Sequence, residues 1–103
     1  MKKLKGNQFW IKIFNTKYDL VVAICDRELI GKKVGNRPKI KISKNFYGGK
    51  LIDEQFALKA MQRATIGNLM GKRIVAIAEK SGFISRENII FIDGIPHAQF
   101  VKI

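Results

Sequence analysis

Phe9-Trp10-Ile11-Lys12-Ile13-Phe14 is almost entirely aromatic or β-branched. Such side chains fit a pleated, half-buried surface, so the segment predicts a strand. Leu20-Val21-Val22-Ala23-Ile24-Cys25 is apolar at every position, the pattern of a strand buried on both faces. The turn formers of Asn15–Asp19 separate the two, and that spacing predicts an antiparallel hairpin. Asp26–Gly31 reads as a turn or a single helical turn, and residues 32–38 as a polar loop. Lys39-Ile40-Lys41-Ile42-Ser43 alternates strictly. A period of two turns Ile40 and Ile42 inward and Lys39, Lys41 and Ser43 outward. Phe46-Tyr47-Gly48-Gly49 predicts a turn.

The period then changes. Phe56, Ala60, Met61 and Ala64 recur at helical spacing and predict a helix over about 54–64, with Asp53 as its N-cap and Glu54 in its first turn. Leu69, Ile74, Val75, Ile77 and Ala78 predict a second helix over about 67–81, capped by Thr65 and stopped by Gly82. Asn88–Ile92 predicts a strand, Asp93-Gly94-Ile95-Pro96 a turn, and Gln99–Ile103 a last strand. Strands, a helix pair and more strands make an α+β fold, a mostly antiparallel sheet with the helices packed on one face.

Composition narrows this further. At 103 residues and 47% hydrophobic, the chain fits one domain with a modest core. Its first seven residues read as a flexible basic arm. No apolar run approaches the roughly 20 residues of a membrane span. A basic start without an apolar stretch behind it gives no signal peptide, so a cytoplasmic location is expected. The single Cys25 has no internal disulfide partner and reads as a small core residue.

Charge is what points to function. The chain carries a net +12, and residues 1–50 hold +10 of it. Such an excess opposes compaction, and its confinement to one half favours a binding surface for a polyanion. Lysines outnumber arginines 15 to 5. Lysine is a point charge suited to phosphate contact more than to planar readout of base edges. Lys32, Lys33, Arg37, Lys39, Lys41 and Lys44 form an acid-free run able to track a phosphate backbone. Tyr47, beside Gly48-Gly49 and Lys50, is the candidate for base stacking, whereas Phe9 and Phe46 read as core. Lys72 and Arg73 sit where a helix N-terminus could meet phosphate. His97 lies near Asp93, but no nucleophile or metal-ligand spacing accompanies them. No catalytic, metal or cofactor site is therefore assigned, and His97 is read as an RNA contact.

Several short motifs occur in order: Cys25-Asp26 with Glu28-Leu29-Ile30-Gly31-Lys32, Phe46-Tyr47-Gly48-Gly49, Ala64-Thr65-Ile66-Gly67-Asn68-Leu69-Met70-Gly71, and Gly94-Ile95-Pro96-His97-Ala98-Gln99. Together they resemble the small archaeal family catalogued as domain of unknown function number 424, over roughly residues 8–101. The resemblance implies an archaeal source, RNA binding and a link to translation. It supplies no catalytic residues. The strong basicity departs from many members and favours a protein seated on ribosomal RNA.

The expected function is that of a non-enzymatic RNA-binding protein, ribosomal or ribosome-associated, with neighbouring ribosomal proteins as further partners. One alternative is an RNA-processing enzyme working around Asp93 and His97. Another is a protein–protein adaptor using residues 51–103.

Overall fold

The computed structural model describes residues 8–36 and 39–103. The first hairpin forms as expected: β1 (Phe9–Asn15) runs antiparallel to β2 (Leu20–Asp26), with Phe9 opposite Asp26 and Asn15 opposite Leu20. A single 3-10 turn over Arg27–Leu29 leads to a small ribbon of β3 (Lys33–Val34) and β4 (Ile40–Lys41). One helical turn, α1 (Lys44–Tyr47), follows, then β5 (Lys50–Ile52) and α2 (Glu54–Arg63). The chain ends with β6 (Ile66–Met70), α3 (Lys72–Lys80), β7 (Ile89–Ile92) and β8 (Ile95–Val101). The main sheet has the order β5-β1-β2-β6-β8-β7. Its pairs are antiparallel except β2 with β6. The fold is α+β, as the pattern predicts.

One face carries α2 and α3. Phe9, Ile11, Val22, Ile24, Leu69, Ala98 and Phe100 pack there against Ala57, Ala60 and Met61 of α2 and Ile74, Val75 and Ala78 of α3. Each large side chain buried this way contributes about 1.5–3 kcal/mol. The Asp53 Oδ1 accepts from the Phe56 N–H at 2.9 Å and caps α2 as expected.

Five local assignments change. Lys33–Val34 forms β3 inside the loop expected over 32–38, because Ile40–Lys41 pairs with it. Ile66–Met70 is a central strand, where the sequence predicts the start of the second helix. Ile66, Leu69 and Met70 stand at positions i, i+3 and i+4, so a short strand lined on both faces imitates a helix. Thr65 accordingly caps nothing: its hydroxyl accepts from the Leu20 N–H and donates to the Asp19 Oδ1, both at 3.0 Å. The last strand begins at Ile95, because Asp93 (φ 54°) and Gly94 (φ 76°) complete the hairpin turn by themselves. Pro96 fits in that strand because it lies beyond the last β6–β8 pair, Met70 with His97. The predicted strand over 39–43 shortens to Ile40–Lys41. Ile42 is buried as expected, but Ile40 is 53% exposed at the ribbon end. The turn expected at Phe46–Gly49 begins as helix, with the Ser43 Oγ accepting from the Asn45 N–H at 3.0 Å.

Register orders the opposite face into rows. One row runs Trp10–Cys25–Met70–His97–Ile90, the next Lys12–Ala23–Asn68–Gln99, the third Phe14–Val21–Ile66–Val101. Leu29, Val34, Ile42 and Tyr47 pack over Ala23, Cys25 and Met70 and close one half of this face. The half bearing Gln99, Ile90 and Val101 stays exposed.

Candidate nucleic-acid interface

The ribbon gathers positive charge. Lys33 stands directly opposite Lys41, and Lys32 and Lys39 flank them, all exposed. Like charges directly across a strand pair are destabilising. Among the described residues none of these four lysines, nor Lys44 or Lys50, forms a salt bridge. A hydrogen bond of 2.6 Å from the Gly35 N–H to the Asp93 Oδ2 anchors the ribbon to the β7–β8 turn. Beside it, Ile30, Gly31, Lys41, Ser43, Lys44 and Asn45 line an open groove of about 380 Å³.

Lysines and aromatic rings interleave next to this groove. The Lys44 Nζ lies 5.8 Å from the Trp10 ring centre, and the Lys12 Nζ 5.7 Å from that of Phe14. The Lys12 Nζ also donates to the Asn45 carbonyl at 2.7 Å. Phe46 stacks on Phe14 at 5.7 Å and meets Tyr47 edge-on at 4.8 Å. The sequence marks neither Lys12 as a contact nor Phe46 as an exposed ring. The alternation of β1 carries the signal for Lys12, which falls on one face with Trp10 and Phe14.

The candidate residues separate into groups. Lys32, Lys33, Lys39, Lys41 and Lys44 gather at the ribbon and α1. Arg37 lies outside the described residues, as does the basic arm over residues 1–7. Lys50 pairs with Ile11 on the helix-bearing face, with its Nζ 4.4 Å from the Phe56 ring centre. Tyr47 is not available for stacking: it is 7% exposed, and its hydroxyl donates to the Asn68 Oδ1 at 2.7 Å. Burial, then the nearby Cys25, pushes its phenol well above the usual range. The roles expected of the two neighbours are exchanged, because Phe46 is 39% exposed. The helical turn over Lys44–Tyr47 points one ring in and the next out.

The start of α3 is also closed. The Asp26 carboxylate accepts from the Arg73 and Ile74 N–H groups at 2.9 Å each. The anion that this helix terminus favours is thus supplied from within the chain. Gly71 (φ 120°) lies against that carboxyl, where a Cβ would overlap the Asp26 side chain. Burial pushes the Asp26 carboxyl above its ordinary range, against the pull of these N–H groups and Arg73. The Arg73 guanidinium donates to the Gln8 Oε1 at 2.6 Å, pairs with Glu28 and covers the Phe9 ring. Arg73 is therefore taken up inside the fold, while Lys72 remains exposed beside it. Two of the ordered motifs, Cys25-Asp26 and the one ending in Gly71, meet here as a structural joint.

His97 is half-buried, and its buried Nδ1 has no hydrogen-bond partner among the described residues. The Asp93 carboxylate accepts from the Gly35 N–H, and among the described residues no hydrogen bond or ion pair joins it to His97. Burial first, then Asp26 and Glu28, raises the Cys25 thiol to about 12, consistent with a core residue. Among the described residues no group of three His, Cys, Asp or Glu side chains is placed to hold a metal ion, and no helix is long and apolar enough to cross a membrane.

No curated protein matches the chain. The fold is similar to the crystal structure of an uncharacterized conserved protein from Methanopyrus kandleri, with a TM-score of 0.77. That likeness covers 92% of this chain and 93% of the other at 22% identity. Residues 14–103 match the family described as protein of unknown function DUF424, and the chain belongs to that family.

Proposed function

We propose that this protein binds RNA through the β3–β4 ribbon and α1, with Lys32, Lys33, Lys39, Lys41 and Lys44 on backbone phosphates. The observation that carries this reading is the unneutralised Lys33–Lys41 pair. Two cations held directly opposite each other oppose folding, and a phosphate between them turns repulsion into attraction. Interleaved rings at Trp10, Phe14 and Phe46 supply stacking surfaces next to the charge. Ribosomal RNA is the proposed partner, because a lysine-rich surface suits backbone and shape recognition.

Sedimentation of a native lysate on a sucrose gradient, at low and then high salt, tests this. Migration with one ribosomal subunit through the high-salt wash supports a ribosomal component. Release at moderate salt supports a loosely held electrostatic binder. Absence from ribosomal fractions at both salts refutes the ribosomal assignment.

The adaptor reading has its own supporting feature. Ile13, Leu20, Val22, Phe56 and Ala60 line a groove of about 650 Å³ rimmed by Lys59 and Arg63. Ile13 and Phe56 are exposed there. Copurification with an acidic protein lost on Phe56→Ser supports that reading, and unchanged copurification removes it.

A further inference from the structure

We infer that the open half of the sheet face beside the ribbon reads unpaired bases, which makes single-stranded RNA the ligand class. This rests on the RNA-binding reading above. Past the buried Ala23, the Asn68–Gln99 end of the Lys12–Ala23–Asn68–Gln99 row lies open next to the apolar row Phe14–Val21–Ile66–Val101. Two residues along a strand separate the rows by about 7 Å, and three strand spacings give each row a length of about 14 Å.

The amides are arranged for recognition. The Tyr47 hydroxyl donates to the Asn68 Oδ1, which fixes the amide and leaves its Nδ2 hydrogens without a partner among the described residues. Gln99, the exposed cross-strand neighbour of Asn68, keeps a side-chain donor and acceptor without a partner among the described residues. Uncharged amides in this state match base edges, which present donors and acceptors side by side. The apolar row, 65% exposed at Val101, offers a platform for base faces, and the Phe14–Phe46 stack closes one end of it. Base faces and edges are available together only where bases are unpaired. The flanking cations Lys12 and Lys44 favour a nucleic acid over a protein on this face.

The test compares one RNA sequence as a labelled single strand and as a duplex, titrated at several salt concentrations. The wild-type protein should bind the single strand at least about fivefold more tightly, the scale of one stacked base. Phe46→Ala and, separately, Gln99→Ala should narrow that preference while leaving the salt slope unchanged. The Gln99 side chain is exposed and has no partner among the described residues, so its variant keeps the test valid if Phe46→Ala misfolds. Equal binding of both forms, or a preference that survives both variants, overturns the inference while phosphate binding stands. No binding of either form at low salt removes the RNA reading itself. A concentration-dependent dimer abolished by Gln99→Ala, without strand preference, assigns the face to a second copy of the chain and overturns the inference.

Discussion

Replacing Lys33 and Lys41 together by Gln should weaken RNA binding without weakening the fold. As cross-strand partners they have Cβ atoms about 5 Å apart, and their flexible stems let the ammonium groups splay to roughly 8 Å. At that distance Coulomb's law gives about 0.5 kcal/mol of repulsion in a water-like dielectric. A Debye length of about 10 Å in 0.1 M salt reduces this to about 0.2 kcal/mol. The urea midpoint of the double variant should therefore stay level or rise slightly. On the RNA side, two lost phosphate contacts remove about 1.4 from the slope of log affinity against log salt on a single strand. Between about 50 and 200 mM salt the wild-type protein should thus lose about sevenfold more affinity than the variant. Fluorescence anisotropy of a short labelled RNA reads both quantities. A control with the same net charge, Lys59→Gln with Lys80→Gln, should leave the slope near the wild-type value. An unchanged slope in the ribbon variant, or an equal fall in the control, refutes the assignment of phosphate contacts to the ribbon.

The joint between β2 and α3 yields four further predictions. Asp26→Asn leaves one of the two capped N–H groups facing an amide donor, and should cost about 1–3 kcal/mol in urea unfolding. Because burial raises the Asp26 pKa, its contribution is fully present below the unfolded value near pH 3.9 and is lost as pH rises through the folded value. The wild-type stability measured relative to the variant should therefore fall with rising pH across the acid range, and a difference that grows with pH contradicts this. Gly71→Ala combines a disfavoured φ with overlap on Asp26. It should lower the melting temperature by more than Asp26→Asn does, and a smaller drop would sink the joint. The Cys25 thiol, held near 12 and fully buried, should resist alkylation at pH 8 in the folded protein and react in denaturant. Rapid labelling of the native state would contradict its placement in the core.

Much of the fold is written in local pattern. The first hairpin, α2 with its Asp53 cap, and β7 follow from runs of β-branched, aromatic and other apolar residues, helical spacing and one carboxylate, each acting within a few residues. The charge asymmetry likewise follows from counting, and it is what motivates the RNA reading. Ile66–Met70 could not be assigned locally, because burial on both faces of a five-residue strand removes the period that distinguishes strand from helix. Its pairing between β2 on one side and β8 on the other decides it.

The site divides in the same way. That Lys32 to Lys44 form a basic run is a fact of the sequence; that Lys33 faces Lys41 is a fact of register. Whether Phe46 or Tyr47 meets solvent depends on how one helical turn docks on β1 and β2, which neither residue type determines. Asp26 and Arg73 are 47 residues apart, and only packing turns a charged pair into a helix cap and spends it. The sequence by itself determined composition, charge and the short-range elements, because those depend on neighbours along the chain. Tertiary structure alone decided which cations remain free, which ring is exposed and which amides line up across the sheet, because each depends on residues brought together from distant strands.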